Sequence, residues 1–242
     1  MNSVLKNRSF FFMWIGSAIS ELGGAFGTLC NSILVYELTG SKTALSSMWL
    51  LYFIPSLILQ LISGPYIDKW SRKWIMIFSQ WMRASVFLLP LVMLVTNSVE
   101  VWHIYVVQII VGLITPLYTP ASQAITPSIV SKEQLQDANA YIDGMTRLMM
   151  FLAPVIGGIV IKFIGIELTL SFVCMCLFIS GGLLLFIKEG TARDSKNVDR
   201  TVSSWFYILF HKTNNRLARY ISYFRSIWSW GNDGYKPTLY KR

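Results

Sequence analysis

Few side chains in this sequence can do chemistry, and the first of them is Glu21, in "SAISELGGAFG". It is the single charge in the run from Ser9 to Tyr36. Keeping an ionisable group in so apolar a setting is expensive, so Glu21 is a candidate acceptor for a proton or a cationic solute. The alternative is a hydrogen-bonded structural carboxylate. Arg83, Asp143 and Arg147 are further charged side chains within apolar runs. Asp143 and Arg147 stand four residues apart and can neutralise one another on one helix face. For these three, a structural ion-pair network reaching Asp68 and Arg72 is preferred over solute contact. Hydrolytic chemistry has no support, because no carboxylates pair in a suitable way and His103 and His211 belong to no cluster. "GSKT" at residues 40 to 43 lacks the adjacent glycine and lysine of a phosphate loop. Cys30, Cys174 and Cys176 all fall in apolar runs and read as packing residues, neither a disulfide framework nor a metal site. The expectation is a protein that is not an enzyme, with no metal, no cofactor and no nucleic-acid partner.

What must position these residues is a set of membrane helices. Of the 242 residues, 54% are hydrophobic and 14% charged, against roughly 25% charged in an ordinary soluble domain. Six runs are long enough to cross a hydrocarbon core: 9 to 36, 45 to 66, 73 to 96, 101 to 125, 138 to 163 and 166 to 187. Backbone polar groups must be paired in lipid, so runs this long and continuous are read as helices. The fold class expected is therefore all-α, a polytopic bundle over residues 1–188 followed by a basic tail over 189–242. Cations orient it. Lys6 and Arg8 precede the first run, Lys69, Arg72 and Lys73 separate the second and third, Lys132 separates the fourth and fifth, and Lys188 follows the sixth. By the positive-inside rule, the amino terminus, the second and fourth connections and the tail are cytoplasmic. Trp14, Trp70, Trp74 and Trp102 fall near the expected interfaces as belt anchors.

The connection between the second and third runs reads "GPYIDKWSRK", with Gly64, Asp68, Lys69, Arg72 and Lys73 in a fixed spacing. A glycine there lets two helices approach, and Asp68 can take a charge-assisted bond from an arginine or cap a helix amino terminus. Such a loop can latch moving parts together. Positive-inside decoration would explain the cations but neither Gly64 nor Asp68. This stretch resembles the signature loop between helices two and three of the major facilitator superfamily, with Lys69 in place of the usual first arginine and Ser71 in place of the second glycine. "FLAPVIGGIV" resembles that family's helix-five antiporter motif: Pro154, Gly157 and Gly158 match, and Ala153 stands where glycine is common. "TPASQAITPSIV" with "LQDANA", and "WIGSAISELGGAF" with "LVYELTGS", are similar to macrolide-efflux-type exporters. Together these segments extend over about residues 9 to 190.

The resemblance implies a secondary transporter in the cell membrane that exports a drug-like or amphiphilic solute by alternating access, with Glu21 facing the central cavity. Proton-coupled members often carry an arginine in helix four, and residues 101 to 125 contain no arginine or lysine. The family fold has two six-helix halves with the solute site between them, and this chain matches one. A second half or a homodimer is then the expected protein partner of a working transporter. A non-transporting six-helix subunit or an inactive fragment is the competing expectation. The tail holds ten Lys/Arg against four Asp/Glu. It reads either as a basic amphipathic helix on the inner leaflet or as an unselected product of a frameshift shortly after Asp199, which would make the chain a truncated half.

Overall fold

The computed structural model describes residues 4–67 and 70–188, with the side chains of 61–67 excepted. Five long helices account for nearly all of it: α1 (Arg8–Thr39), α2 (Lys42–Ile67), α3 (Arg72–Val95), α4 (Val101–Ile129) and α5 (Leu135–Leu184), with a 3-10 turn at Lys132–Gln134 before α5. Each contains a stretch long and apolar enough to cross a membrane. The ends follow local chemistry. Asn7 caps α1, its side-chain oxygen accepting from the Ser9 and Phe10 amides at 3.0 and 3.4 Å. Gly40 closes the same helix at φ 61°, a left-handed turn that glycine adopts without a Cβ penalty. Glu100 and His103 form a reciprocal capping box at the start of α4. Helix α4 continues through Pro116, Pro120 and Pro127, which membrane helices tolerate where neighbours re-satisfy the freed carbonyls.

The first four expected runs correspond to α1 through α4. The fifth and all but the last three residues of the sixth fall inside α5, whose 50 residues are interrupted by one non-helical residue, Gly165, at φ 81° and ψ 170°. Contacts with α1 give the direction of the chain on each side of it. Before Gly165, Trp14 Nε1 donates to the Tyr141 carbonyl at 3.1 Å, and Gly157 abuts Phe26 and Leu29. The two helices therefore run parallel there. After Gly165, Gly23 abuts Cys176 and Leu177, while Ser180 Oγ donates to the Gly16 carbonyl at 2.7 Å. The second part of α5 runs antiparallel to α1, so the chain reverses about Gly165.

Two apolar clusters form the interior. One gathers Phe26, Cys30, Leu34, Phe87, Val107, Leu170 and Leu177; the other gathers Phe10, Met13, Met76, Tyr118, Ile125 and Leu184. Ser20 and Gln80, both fully buried, are hydrogen-bonded to each other across α1 and α3. Lipid tails are as apolar as leucine, so close approach and hydrogen bonds carry the packing. At Gly112 the backbones of α4 and α2 approach closely, since a Cβ there would strike the Tyr52 carbonyl of α2. The residues expected to form the tail, 189–242, lie outside the described residues.

Candidate functional site

A cavity of about 560 Å³ opens into the middle of the bundle, with wall residues from all five helices. Glu21, Thr28 and Ser32 line it from α1, Trp49 and Tyr52 from α2, and Arg83 from α3. Thr115 and Tyr118 contribute from α4, and Met149, Met150 and Pro154 from the first part of α5. Most of the exposed wall is carbon, with polar atoms placed at a few points, the usual composition of a small-molecule site.

One side of the wall is a hydrogen-bonded layer. Tyr118, almost fully buried, shares a 3.0 Å hydrogen bond with Ser17. Gln80 donates to Ser20 Oγ at 2.6 Å, and Arg83 Nη1 lies 3.5 Å from the same oxygen, the long limit of a hydrogen bond. The Arg83 guanidinium reaches α1 where Gly24 has no side chain, with Nη2 nearest. Glu21 enters the cavity one turn earlier on α1 and forms no hydrogen bond or ion pair among the described residues.

Of the residues singled out in the sequence, Glu21, Arg83 and Pro154 reach this cavity. Gly157 lies behind it, against Phe26 and Leu29, and Gly158 faces open space. Asp143 and Arg147 are exposed on α5, outside the lining, and no ion pair joins them among the described residues. Gly64 lies within α2, while Asp68 and Lys69 fall outside the described residues. Arg72 opens α3, and Lys73 reaches across to the end of α5, donating to the Leu185 and Ile187 carbonyls at 2.8 and 2.6 Å. A cation there satisfies carbonyls that the helix end leaves unpaired. The three cysteines are buried and free. Trp14 is half-buried and tied to α5, whereas Trp70, Trp74 and Trp102 are exposed.

The reading from sequence missed Ser17, Ser20, Gln80 and Tyr118. All four are polar side chains inside apolar runs, and that signal was weighed only for ionisable groups.

A polytopic helical bundle with a small-molecule-sized, partly charged cavity at its centre has the architecture of a membrane transporter. The Major Facilitator Superfamily model matches residues 9–231, and the chain belongs to that superfamily. The match runs beyond residue 190, where the motif resemblance ended. An uncharacterized MFS-type transporter, YvqJ, of Bacillus subtilis (strain 168) is 27% identical over 215 residues, 88% of this chain and 50% of the relative. Macrolide efflux protein A of Streptococcus pyogenes is 27% identical over 150 residues, 62% of this chain and 37% of the relative. A second Bacillus subtilis MFS-type transporter, YkuC, is 24% identical over 185 residues, 75% of this chain and 42% of the relative. The chain thus spans at most about half the length of these relatives. It is a multi-pass membrane protein of a transporter family, not an enzyme.

Proposed function

We propose that this chain supplies one half of a secondary transporter that exports a drug-like, amphiphilic solute across the cell membrane by alternating access. The cavity carries this reading: it is large enough for a small solute, mainly apolar, and lined by Glu21, whose carboxylate has no hydrogen bond or ion pair among the described residues. Glu21 acts there as the acceptor for a proton or a cationic group of the solute. Similarity to macrolide efflux protein A supports the efflux direction and a bulky amphiphile as cargo. Six crossings fit the reversal about Gly165, and the distribution of cations supports a cytoplasmic amino terminus and tail. Gly64, Asp68, Lys69, Arg72 and Lys73 form the gating loop, and Lys73 clasping the end of α5 supports that role. Pro154 and Gly157 shape the wall that rocks against α1.

The cavity closes when a second six-helix half, or a second copy of this chain, covers it. A second reading, a non-transporting membrane subunit, draws on the exposed apolar faces of α2 and the first part of α5. Accumulation of a labelled macrolide in exporter-deficient cells separates the two. Cells carrying the chain together with a covering half are expected to hold less label than cells carrying Glu21→Gln with that same half. Equal accumulation with and without the wild-type chain favours the subunit.

A further inference from the structure

We infer that the cavity is built for an organic cation, and that Gly24 keeps it so by holding Arg83 away from Glu21. This rests on the reading of Glu21 as the cavity acceptor and adds the class of ligand and the residue that sets it.

Among the described lining residues only Glu21 and Arg83 carry a charge, and they are held very differently. Arg83 is part of the wall. Its Nε is buried, Nη1 faces Ser20, and Nη2 occupies the space that a side chain at position 24 would fill. Glu21 has no such partner, and no ion pair joins it to Arg83 among the described residues. Both nonetheless line the same cavity. Two oppositely charged groups in so small a space attract strongly when little water lies between them. The glycine provides the niche that keeps them apart.

The neutral lining points to the same ligand. Thr28 Oγ1 donates to the Gly24 carbonyl at 2.9 Å, Ser32 Oγ to the Thr28 carbonyl at 2.8 Å, and Thr115 Oγ1 to the Val111 carbonyl at 2.8 Å. A hydroxyl has one proton and two lone pairs, so each of these three offers the cavity only acceptor sites. The faces of Trp49 and Tyr52 also attract cations. An ammonium or iminium group beside an apolar body matches this part of the wall.

At Gly24→Ala, the atom that must move is the far end of a flexible side chain rather than backbone. The helix is therefore expected to survive while the guanidinium turns into the cavity and pairs with Glu21. The test uses the purified full chain in detergent and two fluorescent probes, ethidium as the cation and anilinonaphthalene sulfonate as the anion. Wild type is expected to bind ethidium in preference to the sulfonate. Gly24→Ala is expected to weaken ethidium binding about tenfold, the scale set by one close charge pair. Gly24→Ala/Arg83→Gln is expected to restore it. Arg83→Gln alone, which needs no change in helix packing, is expected to bind ethidium more tightly than wild type. Preference for the sulfonate, wild-type ethidium affinity in Gly24→Ala, or failure of the double variant to recover would each overturn the inference. Glu21→Gln keeps the two readings distinct. If it leaves ethidium binding unchanged, the role of Glu21 falls and this inference with it. If it weakens binding while Gly24→Ala does not, the role of Glu21 stands and only the role of Gly24 falls.

Discussion

On the two sides of Gly165, α5 carries apolar stretches that hydrophobicity does not tell apart, and their surroundings differ completely. After Gly165, Thr169, Leu170, Val173, Cys174, Cys176, Leu177, Ser180, Gly181 and Leu184 are buried against the bundle. Before it, only Ala138, Ala153 and Gly157 are buried, while Met150, Phe151, Val155, Ile159 and Phe163 stand exposed. In water such a contrast would mark the first part as misplaced. In a membrane the hydrophobic effect does not choose between lipid and protein, so the choice falls to small residues that admit a neighbour and hydroxyls that bond to one. The second part has both on its inner face, and Ser180 uses its hydroxyl on the Gly16 carbonyl. The first part has a narrow stripe of small residues against α1. That stripe holds a cavity wall and leaves the outer face exposed.

Substitutions that remove packing break this contrast most severely if it is wrong. Leu177→Ala, at a site with no exposure, is expected to cost about 2–5 kcal/mol. Phe163→Ala, at 79% exposure, is expected to change stability by no more than roughly 0.5 kcal/mol. Unfolding of each variant in mixed micelles, followed by circular dichroism, checks the pair, and equal losses would erase the distinction. Adding a methyl group sharpens it. Gly181→Ala drives a Cβ into the Trp81 indole and is expected to cost about 1–3 kcal/mol. Gly157→Ala meets the ends of the Phe26 and Leu29 side chains at 3.0–3.2 Å, which can shift, so its melting midpoint should fall less. Ser180→Ala removes a buried hydrogen bond and leaves the Gly16 carbonyl short of a side-chain donor, at an expected cost of about 1 kcal/mol.

The smallest effect belongs to the entrance of α5. The Glu133 carboxyl is held below its ordinary range, first by its own backbone N–H, then by the Ser131 hydroxyl and Lys132. A carboxyl with a depressed folded-state pKa stabilises above its unfolded value and loses that contribution as pH falls through the folded one. Wild type is therefore expected to lose slightly more stability than Glu133→Gln on acidification, read as the difference in melting midpoint between neutral and acid pH. A larger loss in Glu133→Gln would reverse the sign.

The helices were legible in the sequence because length and apolar continuity leave lipid-embedded backbone no other way to pair. The two-residue gap between the expected runs ending at 163 and beginning at 166 marked the place of Gly165, although the chain keeps its helical assignment around that residue. Glu21 and Pro154 stand out in the sequence because charge and helix-breaking chemistry contrast with leucine and isoleucine, and both line the cavity. Arg83 was visible but assigned to an ion-pair network, whereas its guanidinium is seated at Gly24 and lines the cavity. That seating, like the Ser17–Tyr118 and Ser20–Gln80 bonds, depends on how each helix is rotated about its axis. Helices apolar nearly all round carry little information about their rotation, so pairings between residues 60 to 101 positions apart were out of reach.

The account turns on Glu21 as the acceptor in the cavity, and the most direct measurement is the affinity of purified wild type and of Glu21→Gln for ethidium in micelles. Wild type is expected to bind ethidium about tenfold more tightly than Glu21→Gln, the scale of one close charge pair. Equal affinity of the two would contradict it.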